Sequence, residues 1–170
     1  MIFDSSKRVS INIGIGASSI GVPLAGGTTA FHINRSVISC RIFSAREVLF
    51  ESTAILSPYS TPFEYVNEAG LEYGLEKHWS HRFYGIVSVG AAYVEGIKRG
   101  KYQYTEKAFF GDIRHYEQQF FSTAGVLLES KIVLSLGKYI GLCLNGLANL
   151  NSYKSYFGFT SGITFNLFYL

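Results

Sequence analysis

Apolar and polar residues alternate with a period of two through most of this chain. From Val9 to Gly16, Val9, Ile11, Ile13 and Ile15 are β-branched, and Ser10, Asn12, Gly14 and Gly16 lie between them. Such alternation sends successive side chains to opposite faces of a strand. In Thr28–Asn34, Thr29, Phe31 and Ile33 oppose Ala30 and His32. A tight turn at Asn34-Arg35-Ser36 leads into Val37–Phe50, where Ile38, Cys40 and Ile42 oppose Ser39 and Arg41. Later segments run over Asn67–Lys77, Phe83–Ile97, Gln118–Leu136, Tyr139–Asn149 and Ser155–Phe168. Eight strands are thus predicted, and no stretch of helical period competes with them.

Strand length and face chemistry choose the environment. Most segments exceed the 5–6 residues about which soluble strands cluster and reach the roughly 9–11 that cross a bilayer at a tilt. One face is Val, Ile, Leu and Phe; the other is Gly, Ser, Thr and Asn with a few charges. That second face is too small and too uncharged for a good solvated surface, but it suits the narrow interior of an eight-stranded barrel whose apolar face meets lipid. The connections alternate in length, except that the last outer one, Leu150–Lys154, is short. Ala17–Gly27, Glu51–Val66 and Lys98–Glu117 are long, while Asn34–Ser36, Lys77–Arg82 and Gly137–Lys138 are short. Outer-membrane barrels place long loops outside, and short turns and both termini in the periplasm. Pro23, Pro58 and Pro62 all fall in the predicted outer loops, as expected of a residue that cannot donate to a ladder.

Composition narrows the picture further. Charged residues make up 16% of the chain, against about 25% in soluble domains. Twelve Tyr, fourteen Phe and eighteen Gly supply strand and turn builders. The net charge of +3 is not gathered into a stripe, so no nucleic-acid partner is expected. No run approaches the roughly 18 apolar residues of a membrane helix, which excludes helical spanning only. Export needs a leader, and Met1–Lys7 holds neither an apolar core nor a small-residue cleavage site. The expectation is therefore a mature or truncated chain, or a miscalled start. Two cysteines are too few for a disulfide framework or a zinc site, and their phases put Cys40 outward and Cys143 inward.

The inward charges are Arg41, Glu47, Glu72, Glu76, Glu129 and Lys131, with His32 nearby. In a water-poor lumen they must pair, so a charge network filling the barrel is expected instead of an open pore. A proton or ion pathway, or a catalytic carboxylate pair, is the competing reading. His78-Trp79-Ser80-His81, with Glu95 as a carboxylate, is the one cluster that suggests nucleophilic catalysis. Its His-x-Ser spacing is similar to that of outer-membrane lipid A 3-O-deacylases, which use a Ser/His/Glu site, although their following Asn is His81 here. The predicted topology puts the cluster at a periplasmic turn, where Trp79 and the histidines read as interfacial anchors. It offers too few ligands for a metal, and Gly14-Ile15-Gly16 inside a strand carries no nucleotide-binding weight. No metal or cofactor is expected.

Lys98, Arg99 and Lys101, beside Tyr102 and Tyr104, stand where the fifth segment leaves the outer leaflet. There they offer cations to lipopolysaccharide phosphates, unless they simply begin a solvated loop. Phe109-Phe110 and Phe120-Phe121 flank the largest loop and suit an interfacial girdle or a protein contact, and a partner site is expected between Lys98 and Glu117, because loops carry function in this architecture.

Gly96-Ile97-Lys98-Arg99-Gly100, Tyr116-Glu117, Gly146-Leu147-Ala148-Asn149-Leu150-Asn151 and Lys154-Ser155 resemble stretches of a family of small outer-membrane β-barrel proteins of Gram-negative bacteria. The resemblance implies the fold and the membrane and brings no activity. The chain departs from the pattern in lacking a leader and in ending Phe168-Tyr169-Leu170 instead of with a terminal aromatic. The resulting reading is one domain over residues 1–170, an eight-stranded antiparallel up-and-down transmembrane β-barrel of the outer membrane. Its expected role is structural or surface-interacting through the outer loops, in contact with lipid and lipopolysaccharide, without catalysis. The rivals are a lipid A deacylase-like hydrolase and a soluble β-barrel that binds a small apolar ligand.

Overall fold

The computed structural model describes residues 7–21, 24–47, 59–108 and 111–169. Eight long strands form a closed wall: β1 (Lys7–Ser18), β2 (Leu24–Ile33), β3 (Ser36–Arg46), β5 (Tyr65–His78), β6 (Phe83–Ala108), β7 (Gly111–Ser135), β8 (Ile140–Asn151) and β9 (Tyr156–Tyr169). Each pairs antiparallel with its chain neighbour, β3 with β5, and β9 returns to β1 to close the barrel. A ninth strand, β4 (Tyr59–Thr61), lies within the β3–β5 connection and pairs parallel with Ile113–His115 of β7. Closure leaves the wall without an edge, as lipid requires.

Every strand keeps the face assignment that its alternation implies. Ile13, Ile15, Phe31, Ile38, Ile42, Leu71 and Val87 point outward and are more than half exposed. Ser10, Asn12, Thr28, Arg41, Glu72, Asn145 and Thr164 point inward and are buried. This polarity is the reverse of a soluble barrel, whose large apolar side chains would fill the inside.

The two ends differ. The start of β1, the end of β9 and the short turns Asn34–Arg35, Trp79–Arg82 and Leu136–Tyr139 share one end, called here the turn end. Asn34 takes the left-handed conformation (φ 57°) needed for its two-residue hairpin, which Asn tolerates better than most residues. The opposite, loop end carries the long β3–β5 connection and the projecting end of the β6–β7 hairpin.

Two sequence expectations change. The predicted loop Ala17–Gly27 is mostly wall, because β2 begins at Leu24. Gly26 and Gly27 act there as close-approach residues, not turn formers: a Cβ on Gly26 would lie 2.2 Å from the Ile42 carbonyl oxygen. The predicted loop Lys98–Glu117 is mostly strand, because β6 and β7 run beyond the wall as a hairpin. Its charges mask a β-forming ladder in which Tyr102 meets Tyr116 edge-on at 5.7 Å and Tyr104 stacks on His115 at 4.3 Å. The predicted third strand ran to Phe50; β3 ends at Arg46, and residues 48–50 lie outside the described residues, as do Pro23, Pro58, Phe109 and Phe110.

Candidate functional site

Small inward residues leave space in the wall's interior that long side chains from facing strands fill in layers. Nearest the loop end, Leu24, Phe43, Ala45, Val66, Val94, Phe121, Leu127 and Tyr156 pack into an apolar plug. Gly125 makes room for Asn149 beside this layer, since a Cβ there would lie 2.4 Å from the Asn149 Oδ1.

Arg41 is central to the charged layer. It is fully buried; its Nε donates to Glu68 Oε1 at 2.6 Å, and its Nη1 lies 2.9 Å from Glu72 Oε1. Asn149 Nδ2 donates to the other Glu68 oxygen at 2.6 Å, and Ser39 and Ser88 donate to Glu72 Oε2 at 3.3 Å. Lys131 Nζ lies 3.1 Å from Glu129 Oε1. Below these, Asn12 Oδ1 accepts from Cys143 Sγ at 2.7 Å and Thr164 Oγ1 at 3.3 Å. A second apolar layer of Ala30, Val37, Tyr84, Ile86, Val133 and Cys143 follows.

The charge layer at the turn end converges on Glu76. Its Oε2 accepts from Arg8 Nη2 and from His32 Nδ1, each at 2.6 Å, and its Oε1 faces His78 Nε2. His32 Nε2 lies 2.7 Å from Ser10 Oγ. Ser10, His32 and Glu76 therefore stand in the order of a hydrolase relay. Two features separate them from one. Arg8 shares the oxygen that orients the imidazole, and Ser10 is 4% exposed inside a wall whose backbone donors serve the ladder.

The sequence-derived candidates divide accordingly. Arg41, Glu72, Glu76, Glu129 and Lys131 all lie in the lumen, with His32. Glu47 does not. It follows the last residue of β3 at the loop-end rim and pairs with Arg99, because the strand ends before Glu47 reaches an inward position. Glu68 and Arg8 are lumen members that the sequence reading left out, although each sits in the inward phase of its strand. Their signal is periodicity: Arg8 falls one residue before the predicted strand start at Val9, whereas Glu68 lies inside the predicted segment Asn67–Lys77, two residues before the inward Gly70.

The Ser80 cluster does not assemble. Ser80 Oγ accepts the backbone N–H groups of Arg82 and Phe83, His78 is held by Glu76, and Glu95 points outward towards the loop end of β6. Trp79 lies against Phe83 with ring centroids 5.0 Å apart, over the outward side of Gly85.

At the loop-end rim, Arg99 binds Glu47 and donates to the Pro62 and Ser60 carbonyls, while its backbone N–H donates to Glu64 at 2.9 Å. Lys154 from the β8–β9 turn pairs with the other Glu64 oxygen. Burial opposes the Glu64 charge, yet Lys154 and the Arg99 N–H outweigh it and hold this carboxyl below its ordinary pKa. Lys98 lies 5.0 Å over the Tyr153 ring, and Lys101 is exposed. Outward of the rim, a notch of about 420 Å³ is lined by Ala25, Ser44, Arg46, Tyr65 and Asn67.

No protein-family model matches this sequence, and no curated protein sequence does. Solved structures do match in shape. The N-terminal β-barrel domain of Pseudomonas aeruginosa OprF aligns with a TM-score of 0.62 at 10% identity, over 95% of this chain and 99% of that one. The fold is that of the small outer-membrane barrels. Neisserial surface protein A aligns at 0.61 and 8% identity, over 95% and 96% of the two chains. Ail, the attachment invasion locus protein of Yersinia pestis, aligns at 0.56 and 8% identity, over 95% and 97%. A further structure of Ail is a complex with the heparin analogue sucrose octasulfate, and aligns at 0.55 and 7% identity over the same shares.

Proposed function

We propose that this protein is a small barrel of the bacterial outer membrane that acts as a surface-interaction platform through its projecting β6–β7 hairpin. The observation that carries this reading is the hairpin itself. Among the described residues, β6 has no strand partner on its β5 side beyond Ile97, and Lys101–Lys107 are exposed on both faces. A two-stranded ribbon alone in water is marginal. This one is braced by β4 and by Arg99, and it presents Tyr102 and Tyr104, each more than half exposed. The outward apolar band supports a lipid environment, and the long connections at one end support an orientation with the hairpin outside and the termini in the periplasm.

The lumen serves closure, not passage. Arg41 and Glu68, on the neighbouring strands β3 and β5, reach across to β8 through the Ala148 carbonyl and Asn149, and Glu72 and the Lys131–Glu129 pair fill the space between two apolar layers. Lys98 and Lys101, with Arg46 in the outward notch, offer cations to lipopolysaccharide phosphates, while Arg99 is taken up by the rim. A protein or anionic glycan at the cell surface is the partner class for the hairpin, in keeping with the polysulfated ligand of the Ail structure.

Trypsin treatment of intact cells that express the protein tests the reading. Cleavage at Lys101 or Lys107, with a surviving core that still migrates heat-modifiably on gels, is expected. A protease-resistant hairpin on intact cells, or recovery of the protein as a detergent-free monomer, would overturn it.

A further inference from the structure

The charges of the two barrel ends are arranged differently. At the loop end, cations and carboxylates are interleaved: Arg99 sits on Glu47 and Lys154 on Glu64, all partly buried, and Glu106, Asp112 and Glu117 are exposed along the hairpin. At the turn end, Lys7, Arg35, Lys77 and Arg82 are exposed, with His78 and His81. The carboxylate at that end among the described residues is Glu76, which is buried and bound by Arg8, His32 and His78.

These cations follow one arc of the rim. Lys7 pairs in register with Ile33, Arg35 occupies the next turn, and its carbonyl accepts the Glu76 N–H at 2.8 Å, beside Lys77. Lys77 lies opposite Gly85, and Arg82 precedes β6. Strand phase points Lys7 and Lys77 outward, on the same face as Ile13 and Leu75 of the apolar band. Trp79 lies flat on that face, seated where Gly85 has no side chain: a Cβ there would be 2.5 Å from the indole. The patch is thus the border of the apolar band, with an indole at the boundary and cations one step beyond it.

We propose that this arc, Lys7, Arg35, Lys77 and Arg82 around Trp79, is a binding site for anionic phospholipid headgroups in the leaflet at the turn end. The inference rests on the membrane reading above. A phosphodiester at this depth meets cations pointing along the wall while its acyl chains lie against Leu75 and Val87. A cation near an anionic membrane surface gains enough to enrich such lipids about fivefold. A soluble anion would gain nothing from the outward direction of Lys7 and Lys77 or from continuity with the apolar band.

Trp79 is the single tryptophan of the chain, so it reports on its own lipid neighbours. The full chain is folded into vesicles of phosphatidylcholine with a minority of phosphatidylglycerol, with acyl-chain bromine on one lipid at a time. Brominated phosphatidylglycerol is expected to quench Trp79 severalfold beyond its bulk share. That excess is expected to collapse in molar salt and in the R35Q/K77Q/R82Q variant, whose folding is checked by heat-modifiable migration. Salt dependence in the unaltered protein keeps the test decisive if the variant misfolds. Quenching that tracks bulk composition, or an excess that survives both salt and substitution, overturns the lipid preference while the barrel stands. No quenching by either lipid overturns the membrane reading, and the preference with it.

Discussion

Arg41 shows how much one residue supports here. Its guanidinium has no exposure and lies between Glu68 and Glu72. Taking charges out of water is costly, and their mutual attraction repays that cost only while the partners stay together. Replacing Arg41 by Met strands two carboxylates in the lumen. The expected loss is about 3–5 kcal/mol, read as a lower urea midpoint of the detergent-folded barrel. The triple variant R41M/E68Q/E72Q is expected to recover most of it, because no unpaired charge then remains. Equal losses in the single and triple variants would show that Arg41 acts by packing. Arg41, Glu72 and Glu129 were legible as inward residues because alternation assigns a face. Which of the inward groups meet was not, since Arg41 meets Glu68 across 27 positions of sequence and Asn149 reaches Glu68 across 81.

At the scale of elements, the rim clamp joins parts that the chain keeps far apart. Glu64 gathers Arg99 of β6 and Lys154 of the β8–β9 turn, and β4 is held between Arg99 and the outer half of β7. Because its folded pKa lies below its ordinary value of 4.5, Glu64 contributes full stability above that value. The contribution is lost as pH falls through the lowered folded pKa. Comparison of the unaltered protein with E64Q checks this: the gap in thermal midpoint is expected to be present near about pH 6 and to shrink as pH falls below 4.5. A gap that does not vary with pH would mean that Glu64 acts without its charge. The eight wall strands were readable as elements, whereas β4 and the outer hairpin were not. Three residues show no period, and β4 exists only because Ile113–His115 offers an edge.

The whole molecule is inside-out relative to a soluble barrel, and its two cysteines can test that. Cys40 is exposed on the apolar wall; Cys143 is buried, its thiol donating to Asn12. In vesicles, an apolar maleimide is expected to label Cys40, and a bulky charged maleimide is expected to fail. Cys143 is expected to react only after unfolding. Ready labelling of Cys40 by the charged reagent would place that wall in water.

The alternation of the chain determined the strands, their faces and the inverted polarity. Each of these depends on residues two apart, and the rotation between neighbours along a strand is fixed by the backbone. Local pattern also separated short turns from long connections. Only the tertiary structure decided which inward charges meet, that Glu47 belongs to the rim, that Ser80 lies apart from a base and a carboxylate acting together, and that Lys98–Glu117 stands up as a hairpin. Pairing of charges depends on barrel register, which sets heights across the lumen between residues distant in sequence. The alternation of strands and turns already puts Lys7, Arg35, Lys77 and Arg82 at one end of the barrel, and the register decides that they follow one arc beside Trp79.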